Sequence, residues 1–274
     1  MQVFLTSATG YVGSAVAARL KARGHAVAAL ARSKRSLERL DAAGIRPVPG
    51  ELARPETYRD QAARADVVVH TAFEYSQDGK ENLELDRCAV RELLRGRRLI
   101  YTSNGYWPAP RHEAEQMVFA GQEHSSNTIV RLGMVYGGHA GGTVSTLFAA
   151  ARQRGRLPYL AACADNRWSL IHLRDLASLY ARLVETPARG VFDAVDNHPL
   201  SVRRTLERMA SVCGASASAE SESAVADMHD PHTIEVMKRD VALDPTRARE
   251  LDWSPRYSSF DDGAAPAYAE WCAQ

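Results

Sequence analysis

The sequence predicts an α/β fold, a doubly wound parallel sheet followed by a small C-terminal subdomain. Two observations predict it. The first half alternates short apolar runs with amphipathic stretches, which implies right-handed βαβ crossovers and a sheet covered on both faces. The second half loses that regularity.

Taken in order, Val3 to Leu5 is a strand-like start. Gly13 to Arg23 has helical periodicity and stops before Gly24, a suitable residue for the C′ position. Ala26 to Ala31 is a buried-type apolar run, and Ser36 to Ala43 can form a helix. Val48 marks a third short strand, Asp66 to His70 a fourth, Leu99 to Thr102 a fifth and Thr128 to Leu132 a sixth. Beyond these, Leu176 to Glu185 is an amphipathic helix with Asp175 near its start. Val191 to Val195 can return to the sheet as a strand. Leu200 to Val202 opens a helix through Cys213, with Ser201 as N-cap. Gly214 to Ala226, rich in Ala, Ser and Glu, is expected to be a mobile connection. The predicted organisation is a nucleotide-binding half over 1–137, with a strand at 190–196 returning to its sheet, and a substrate-binding subdomain over 138–189 and 197–274.

Composition excludes several classes. At 274 residues the chain suits one large domain, or a domain with an appendage. Its 45% hydrophobic and 24% charged residues are an ordinary globular balance. A net charge of +1 gives no field to recruit nucleic acid or an anionic membrane. No stretch approaches the roughly 18 apolar residues of a membrane span. The N-terminus reads as a first strand, not a signal peptide. Four scattered cysteines, none closely paired, read as reduced thiols of a cytoplasmic protein. The nine histidines show no H-E-x-x-H pattern, and no metal site is expected.

Thr6-Ser7-Ala8-Thr9-Gly10-Tyr11-Val12-Gly13 lies between the first strand and the first helix. Gly10 lets backbone approach a pyrophosphate, and Gly13 lets the helix pack tightly on the strand. The helix N-terminus presents free N–H groups and partial positive charge to the phosphates. This is the Rossmann-type arrangement. An NAD site would place an Asp or Glu about 20 residues on, against the ribose hydroxyls. Here Ala31-Arg32-Ser33-Lys34-Arg35 offers three cations and a hydroxyl instead, which suits the 2′-phosphate of NADP(H).

These motifs resemble the extended short-chain dehydrogenase/reductases, specifically the atypical members of the NAD(P)-dependent epimerase/dehydratase-like family, over nearly the whole chain. Thr9-Gly10-Tyr11-Val12-Gly13 is similar to the family's glycine motif and Arg32-Ser33 to its NADP-type second-strand end. Gly50-Glu51-Leu52 stands where the family has Gly-Asp-Leu beside the adenine. Val69-His70-Thr71-Ala72-Phe73 resembles the loop that passes the cofactor ribose. Arg131-Leu132-Gly133-Met134-Val135-Tyr136-Gly137 resembles the segment flanking the nicotinamide. Asn166-Arg167-Trp168, Ile171-His172, Asp175-Leu176-Ala177, Phe192-Asp193-Ala194, Pro199-Leu200-Ser201 and Leu251-Asp252-Trp253-Ser254-Pro255 continue the likeness in order. The resemblance implies cofactor contacts from Ser7 through Gly13, from Arg32, Ser33 and Arg35, from Glu51 and Leu52, from Thr71, Ala72 and Phe73, and from Thr102, Leu132, Met134 and Val135. One small departure is Ser7 at the first glycine position, which needs a negative φ to avoid strain.

The larger departure is catalytic. The family uses a Ser or Thr after strand five and a Tyr-x-x-x-Lys on the next helix, and no Tyr-x-x-x-Lys occurs here. Counting back from Glu115-Gln116-Met117-Val118 puts Arg111 at the Lys position and Trp107 at the Tyr position. Pro110 makes the helix begin near Arg111, so Trp107 does not sit one turn below it. Arg111 can bond ribose hydroxyls but stays protonated and does not shuttle protons. Ser103 and Asn104 can bond a substrate carbonyl or close a local turn. Tyr106 can swing its phenol inward as an acid or simply pack, and Tyr75 can face the same pocket. His172 and Asn166-Arg167-Trp168 can line the substrate side or be structural. Trp253 and Tyr257 are expected to pin the C-terminal segment.

Three functions are compatible with this pattern. The first is an NADPH-dependent reductase of a small organic carbonyl or conjugated acceptor, with Ser103, Asn104, Tyr106 and Arg111 as its degenerate catalytic set. The second is a redox-neutral epimerase, dehydratase or cyclase. The third is a non-catalytic NADP(H)-binding regulator. The expected partner is a small-molecule substrate, with no nucleic acid and no membrane, and a homodimer is compatible.

Overall fold

The computed structural model describes residues 1–74, 79–96, 98–106, 108–120, 126–138 and 141–273. Tyr75 and Trp107 lie outside the described residues. The first half runs β1 (Gln2–Leu5), α1 (Tyr11–Ala22), β2 (Ala26–Ala31), α2 (Lys34–Ala42), β3 (Arg46–Pro49), α3 (Arg59–Arg64), β4 (Val67–His70), α4 (Gly79–Leu93), β5 (Leu99–Asn104), α5 (Pro108–Ala120) and β6 (Thr128–Leu132). It continues with β7 (Met134–Tyr136), α6 (Gly142–Arg154), β8 (Arg156–Leu160), β9 (Arg167–Trp168), β10 (Leu170–His172), α7 (Leu173–Glu185), β11 (Gly190–Ala194) and β12 (Leu200–Ser201). The chain ends with α8 (Val202–Cys213), β13 (Ser216–Glu220), α9 (Glu222–Ala226), α10 (Pro231–Met237), α11 (Thr246–Arg249) and α12 (Phe260–Cys272).

Seven strands form one parallel sheet in the order β11-β6-β5-β4-β1-β2-β3. β1 pairs with β2 on one side (Val3 opposite Val27) and with β4 on the other (Val3 opposite Val67). The winding therefore reverses at β1, which opens a crevice at the carboxyl ends of β1 and β4. The inner strands are apolar throughout because both faces are covered. Leu5, Val67, Val68, Val69, Leu99 and Ile100 have no exposed surface. Phe4, Val68, Leu99, Tyr101 and Ile129 from the strands pack with Val90, Leu93 and Val118 from the helices as a core.

The chain forms two compact units, Met1–Arg131 with Ala177–Phe192, and Leu132–Leu176 with Asp193–Gln274. The first holds the large sheet. The second contains three two-stranded pairings, β7 with β10, β9 with β12 and β8 with β13, and the helices α6 and α8 to α12. Among the described residues no helix is long and apolar enough to cross a membrane.

Several elements differ from the sequence expectation, and for three of them the physical reason is plain. The segment 214–226 is not a mobile connection. Ser216–Glu220 is a strand in parallel register with Arg156–Leu160, and Glu222–Ala226 is helical. Its small side chains carry no strand signal, so pairing with a neighbour decides its conformation. The helix after β5 begins at Pro108 rather than near Arg111. Pro108 and Pro110 fall in the first turn, where a missing N–H loses no helical bond. α2 begins at Lys34, two residues before Ser36, because the Ser33 hydroxyl accepts from the Ser36 N–H at 3.2 Å and caps it.

Candidate active site

At the end of β1 the chain turns through Thr6-Ser7-Ala8-Thr9 into the helix. Gly10 is the N-cap, in extended backbone, and supplies no side-chain cap. No acidic residue stands in the first turn of α1. The loop is closed by Gly10 N–H donating to Ser7 O at 3.2 Å and Ser14 N–H to Gly10 O at 2.9 Å. A Cβ on Gly13 would lie 1.8 Å from the Ser7 carbonyl oxygen and 2.9 Å from Thr71 Oγ1. Backbone and helix are in direct contact there, so only glycine fits. Among the described non-glycine residues only Asp252 has a positive φ, so Ser7 sits in the loop without strain.

Under this loop lies a buried polar chain. Thr6 Oγ1 accepts from the N–H groups of Thr71 (3.2 Å) and Ala72 (3.1 Å). With both lone pairs used, its hydroxyl donates to His70 Nδ1 at 2.9 Å. That fixes the Nε2–H tautomer of His70, whose Nε2 meets Asp86 Oδ1 at 3.2 Å. The other oxygen of Asp86 accepts from the Tyr101 hydroxyl at 2.5 Å. Burial pushes the Asp86 carboxyl up. The bond from His70, the charge of Arg111 and the Tyr101 phenol outweigh it and hold the group below its ordinary value. Burial, then the Asp86 charge, raise the Tyr101 phenol well above its ordinary range.

Arg111, in the first turn of α5, is buried. Its Nη1 donates to the Thr102 carbonyl at 2.5 Å, and its guanidinium carbon lies 3.9 Å from the centre of the Phe73 ring. Thr102 Oγ1 and the Tyr180 hydroxyl share a bond of 2.6 Å. Ser103 and Asn104 are the last two residues of β5. Asn104 Oδ1 accepts from the Tyr106 N–H at 2.8 Å and closes a turn, while Tyr106 itself is buried. Two buried hydroxyl oxygens, Thr71 Oγ1 and Ser103 Oγ, have no partner among the described residues. They stand just past β4 and at the end of β5, beside the crevice, and are suited to a bound dinucleotide and its substrate.

Of the further residues expected at the cofactor, Arg32, Ser33 and Arg35 follow β2, and Glu51 and Leu52 follow β3. Arg32 Nη1 donates to Glu74 Oε1 at 2.7 Å across exposed surface, and Arg35 is exposed. Ser33 is engaged as the cap of α2. The Glu51 N–H donates to Thr57 Oγ1 at 3.2 Å, and the Leu52 carbonyl accepts from the Tyr58 hydroxyl at 3.2 Å. Within the second unit, Leu132 precedes Gly133, and Met134 and Val135 lie opposite Leu170 and Ile171.

Of the residues left open between lining and structure in that second unit, Trp168 and His172 are buried, while Arg167 is paired at the surface. Trp168 is buried and donates from Nε1 to the Val236 carbonyl at 3.1 Å. Arg167 pairs with Asp240 through Nε (2.9 Å) and Nη2 (2.8 Å), and Asn166 Nδ2 donates to Met237 O at 3.1 Å. His172 is buried between Tyr136 and Tyr257, and its Nδ1 accepts from the Arg174 N–H at 3.2 Å. Burial pushes its pKa down, against the pull of Glu270 and Asp175. Trp253 is buried under the Arg249 guanidinium.

The Thr6–His70–Asp86–Tyr101 chain is what the sequence reading missed. Its signal was present: Asp86 falls on the buried stripe of α4 made by Asn82, Ala89, Val90 and Leu93, where a carboxylate requires partners.

A family model described as NAD(P)H-binding matches residues 7–98. The uncharacterised protein C2A9.02 of Schizosaccharomyces pombe is 30% identical over 229 residues, covering 74% of this chain and 77% of that protein. A Streptomyces protein named 3-diazoavenalumate denitrifying reductase is 26% identical over 312 residues, covering 96% of this chain and 99% of its own. Among solved structures, UDP-glucose 4-epimerase of Thermus thermophilus in complex with NAD matches with a TM-score of 0.77 at 19% identity, over 98% of each chain.

Proposed function

Since the chain belongs to the atypical extended short-chain dehydrogenase/reductases of the NAD(P)-dependent epimerase/dehydratase-like family, we propose that it is an NADPH-dependent reductase of a small organic carbonyl or conjugated acceptor. The observation that carries this reading is the pair of unpartnered buried hydroxyls, Thr71 Oγ1 and Ser103 Oγ, at the crevice where the sheet reverses. The reductase name of the Streptomyces relative points the same way.

In this reading Ser7, Ala8, Thr9, Gly10, Tyr11, Val12 and Gly13 hold the diphosphate on the amino end of α1. Arg32, Ser33 and Arg35 take the 2′-phosphate, with Arg32 exchanging Glu74 for it, and Glu51 and Leu52 flank the adenine. Thr71, Ala72, Phe73 and Thr102 pass the ribose, and Leu132, Met134 and Val135 flank the nicotinamide. The reduced nicotinamide, when bound, supplies a hydride. Ser103 with Asn104 orients the acceptor oxygen, and Tyr106 delivers the proton. Arg111, held against Phe73, binds ribose hydroxyls. Substrate recognition falls to the second unit, in a cytoplasmic protein that acts alone or as a homodimer.

Fluorescence titration with NADPH and with NADH tests the cofactor. Replacing Arg32 and Arg35 by Ala is expected to weaken NADPH by about 10- to 100-fold and NADH far less. Equal affinities of the wild type for the two coenzymes overturn the NADP preference, and no affinity for either overturns the whole reading. Tyr106→Phe is expected to cut kcat sharply on an acceptor that is turned over, and an unchanged rate removes Tyr106 as the acid.

One observation favours a second reading, a non-catalytic NADP(H)-binding regulator. The Tyr-x-x-x-Lys pair is absent, and the residue at the Lys position is an arginine seated on Phe73. That protein would bind NADPH and leave it unoxidised with every acceptor of a carbonyl panel.

A further inference from the structure

We propose that Glu74 is a coenzyme-specificity residue: its carboxylate competes with the 2′-phosphate of NADPH for Arg32, and accepts from the ribose 2′-hydroxyl when that phosphate is absent. This role rests on the nicotinamide-coenzyme reading above and adds a residue to it. Arg32 is the first residue after β2, and Glu74 is the fourth after β4. β2 and β4 are not neighbours. They flank β1, one on each side. At about 4.8 Å between adjacent strands, their ends stand roughly 10 Å apart. The bond of 2.7 Å from Arg32 Nη1 to Glu74 Oε1 therefore spans the carboxyl end of β1, where the turn into α1 begins.

That place makes a chemical demand. In a dinucleotide site of this winding, the residue after β2 meets the adenosine ribose. It is an acid where the ribose carries hydroxyls, and a cation where it carries the 2′-phosphate. Here β2 leads into Arg32 and no acid follows it before Glu38. The acid comes instead from the far side of β1, as Glu74. The fold holds it there. Thr6 Oγ1 accepts from the Thr71 and Ala72 N–H groups at 3.2 and 3.1 Å, and the Arg111 guanidinium covers the Phe73 ring at 3.9 Å. Three successive residues are anchored, so the chain delivers Glu74 to a fixed spot. Arg32 is the freer member of the pair, its side chain 69% exposed against 40% for Glu74.

The pair is built to be exchanged. Arg167 grips Asp240 through two side-chain nitrogens, whereas Arg32 gives Glu74 only one. A single exposed bond is weak, because water competes for both charges. A phosphate offers the guanidinium more charge and several oxygens in a matching geometry. NADPH therefore parts the pair, but it must bring its phosphate toward a carboxylate and take Arg32 away from it. Glu74 subtracts from NADPH affinity on both counts. NADH meets the opposite arrangement. Arg32 stays on Oε1, and Oε2, which has no partner among the described residues, accepts from the ribose 2′-hydroxyl. One carboxylate thus opposes one coenzyme and assists the other.

Fluorescence titration of the full-length protein with NADPH and with NADH separates the two roles. Glu74→Gln keeps an acceptor oxygen but drops the charge that holds Arg32. It should tighten NADPH by about 2- to 5-fold and leave NADH within about 2-fold. Glu74→Ala also removes the acceptor. It should tighten NADPH to a similar degree while weakening NADH by about 3- to 10-fold. A side chain that merely braced the loop would move both coenzymes the same way, and that result overturns the proposal. In an Arg32→Ala background the gain in NADPH affinity from Glu74→Gln should vanish. A gain of undiminished size would mean plain repulsion of the phosphate, not competition for Arg32, and overturns it as well. Wild-type protein that binds neither coenzyme defeats the underlying reading. Normal wild-type binding with both Glu74 variants unchanged defeats only the role of Glu74.

Discussion

Two carboxylates lie at the same depth in the two units and hold their protons differently. Asp86 and Asp196 are each 2% exposed. Asp86 receives His70 Nε2 at 3.2 Å and the Tyr101 hydroxyl at 2.5 Å, and stays below the ordinary carboxylate range despite burial. Neither oxygen of Asp196 has a side-chain partner among the described residues. Burial raises it to about 8, against the backbone of His198 and the charge of Arg249, with Asp175 and Asp262 adding to the rise. Depth sets the size of the penalty on a buried charge, and the donors aimed at the group decide whether it keeps that charge.

The largest expected effect comes from breaking the satisfied site. Asp86→Ala leaves the His70 Nε2–H and the Tyr101 hydroxyl buried without an acceptor, and removes the anion that faces Arg111. The expected loss is about 3–5 kcal/mol, read from the urea midpoint at constant slope. Because Thr6 and the Thr71 and Ala72 amides hang on the same chain of bonds, NADPH affinity should fall with it. A loss below about 1 kcal/mol would show that the network is filler rather than frame.

Asp196 should act in the opposite sense on pH. An unfolded Asp releases its proton near pH ~3.9. In the folded protein this one is held up to about 8. Between those values the native state carries a proton that the unfolded chain has lost, so stability is full below pH about 4 and declines as pH rises toward 8. Asp86, with a lowered value, contributes stability above the unfolded pKa and loses it as pH falls through its folded one. Asp196→Asn should therefore flatten the decline between pH about 4 and 8 by a few kcal/mol and leave the acid side unchanged. A variant whose stability profile overlays that of the wild type would remove Asp196 as its source. Tyr101→Phe is the smaller counterpart at Asp86. It deletes one donor to a charged oxygen, costs about 1.5–3 kcal/mol, and should move acid unfolding to higher pH. Unchanged acid unfolding would mean that His70 alone holds the charge.

The same distinction explains how much of the molecule was legible in the sequence. Positions governed by local chemistry were readable: the apolar runs of β1, β2 and β4, the Ser201 cap of α8 (accepting from Arg204 N–H at 3.1 Å), and Gly13 with no room for a Cβ. The return of β11 to the sheet edge was readable too, from its apolar run. Positions governed by distant partners were not. β13 is a strand because β8 lies beside it, although Ser-Ala-Ser-Ala-Glu carries little strand preference. His70, Asp86 and Tyr101 stand far apart in the chain, and no short motif announces that they bond to one another. Arg111 was placed by counting, but its seat on Phe73 and its bond to the Thr102 carbonyl belong to the fold.

A third carboxylate separates partners from burial. Asp240 is held at about 2, first by the Arg167 side-chain bond and then by the Arg167 N–H at 2.7 Å. It is displaced from its ordinary value without being buried, and both side chains of the pair are about half exposed. Water competes for each charge, and two mobile side chains lose freedom in holding one geometry. Arg167→Ala should therefore return the Asp240 titration, followed by carboxyl NMR shifts, toward the ordinary range while leaving the urea midpoint where it was. A midpoint that falls along with the titration would mean that this exposed fork frames the β9 edge as firmly as Asp86 frames the loop after β1, and the contrast between satisfied burial and surface pairing would fail.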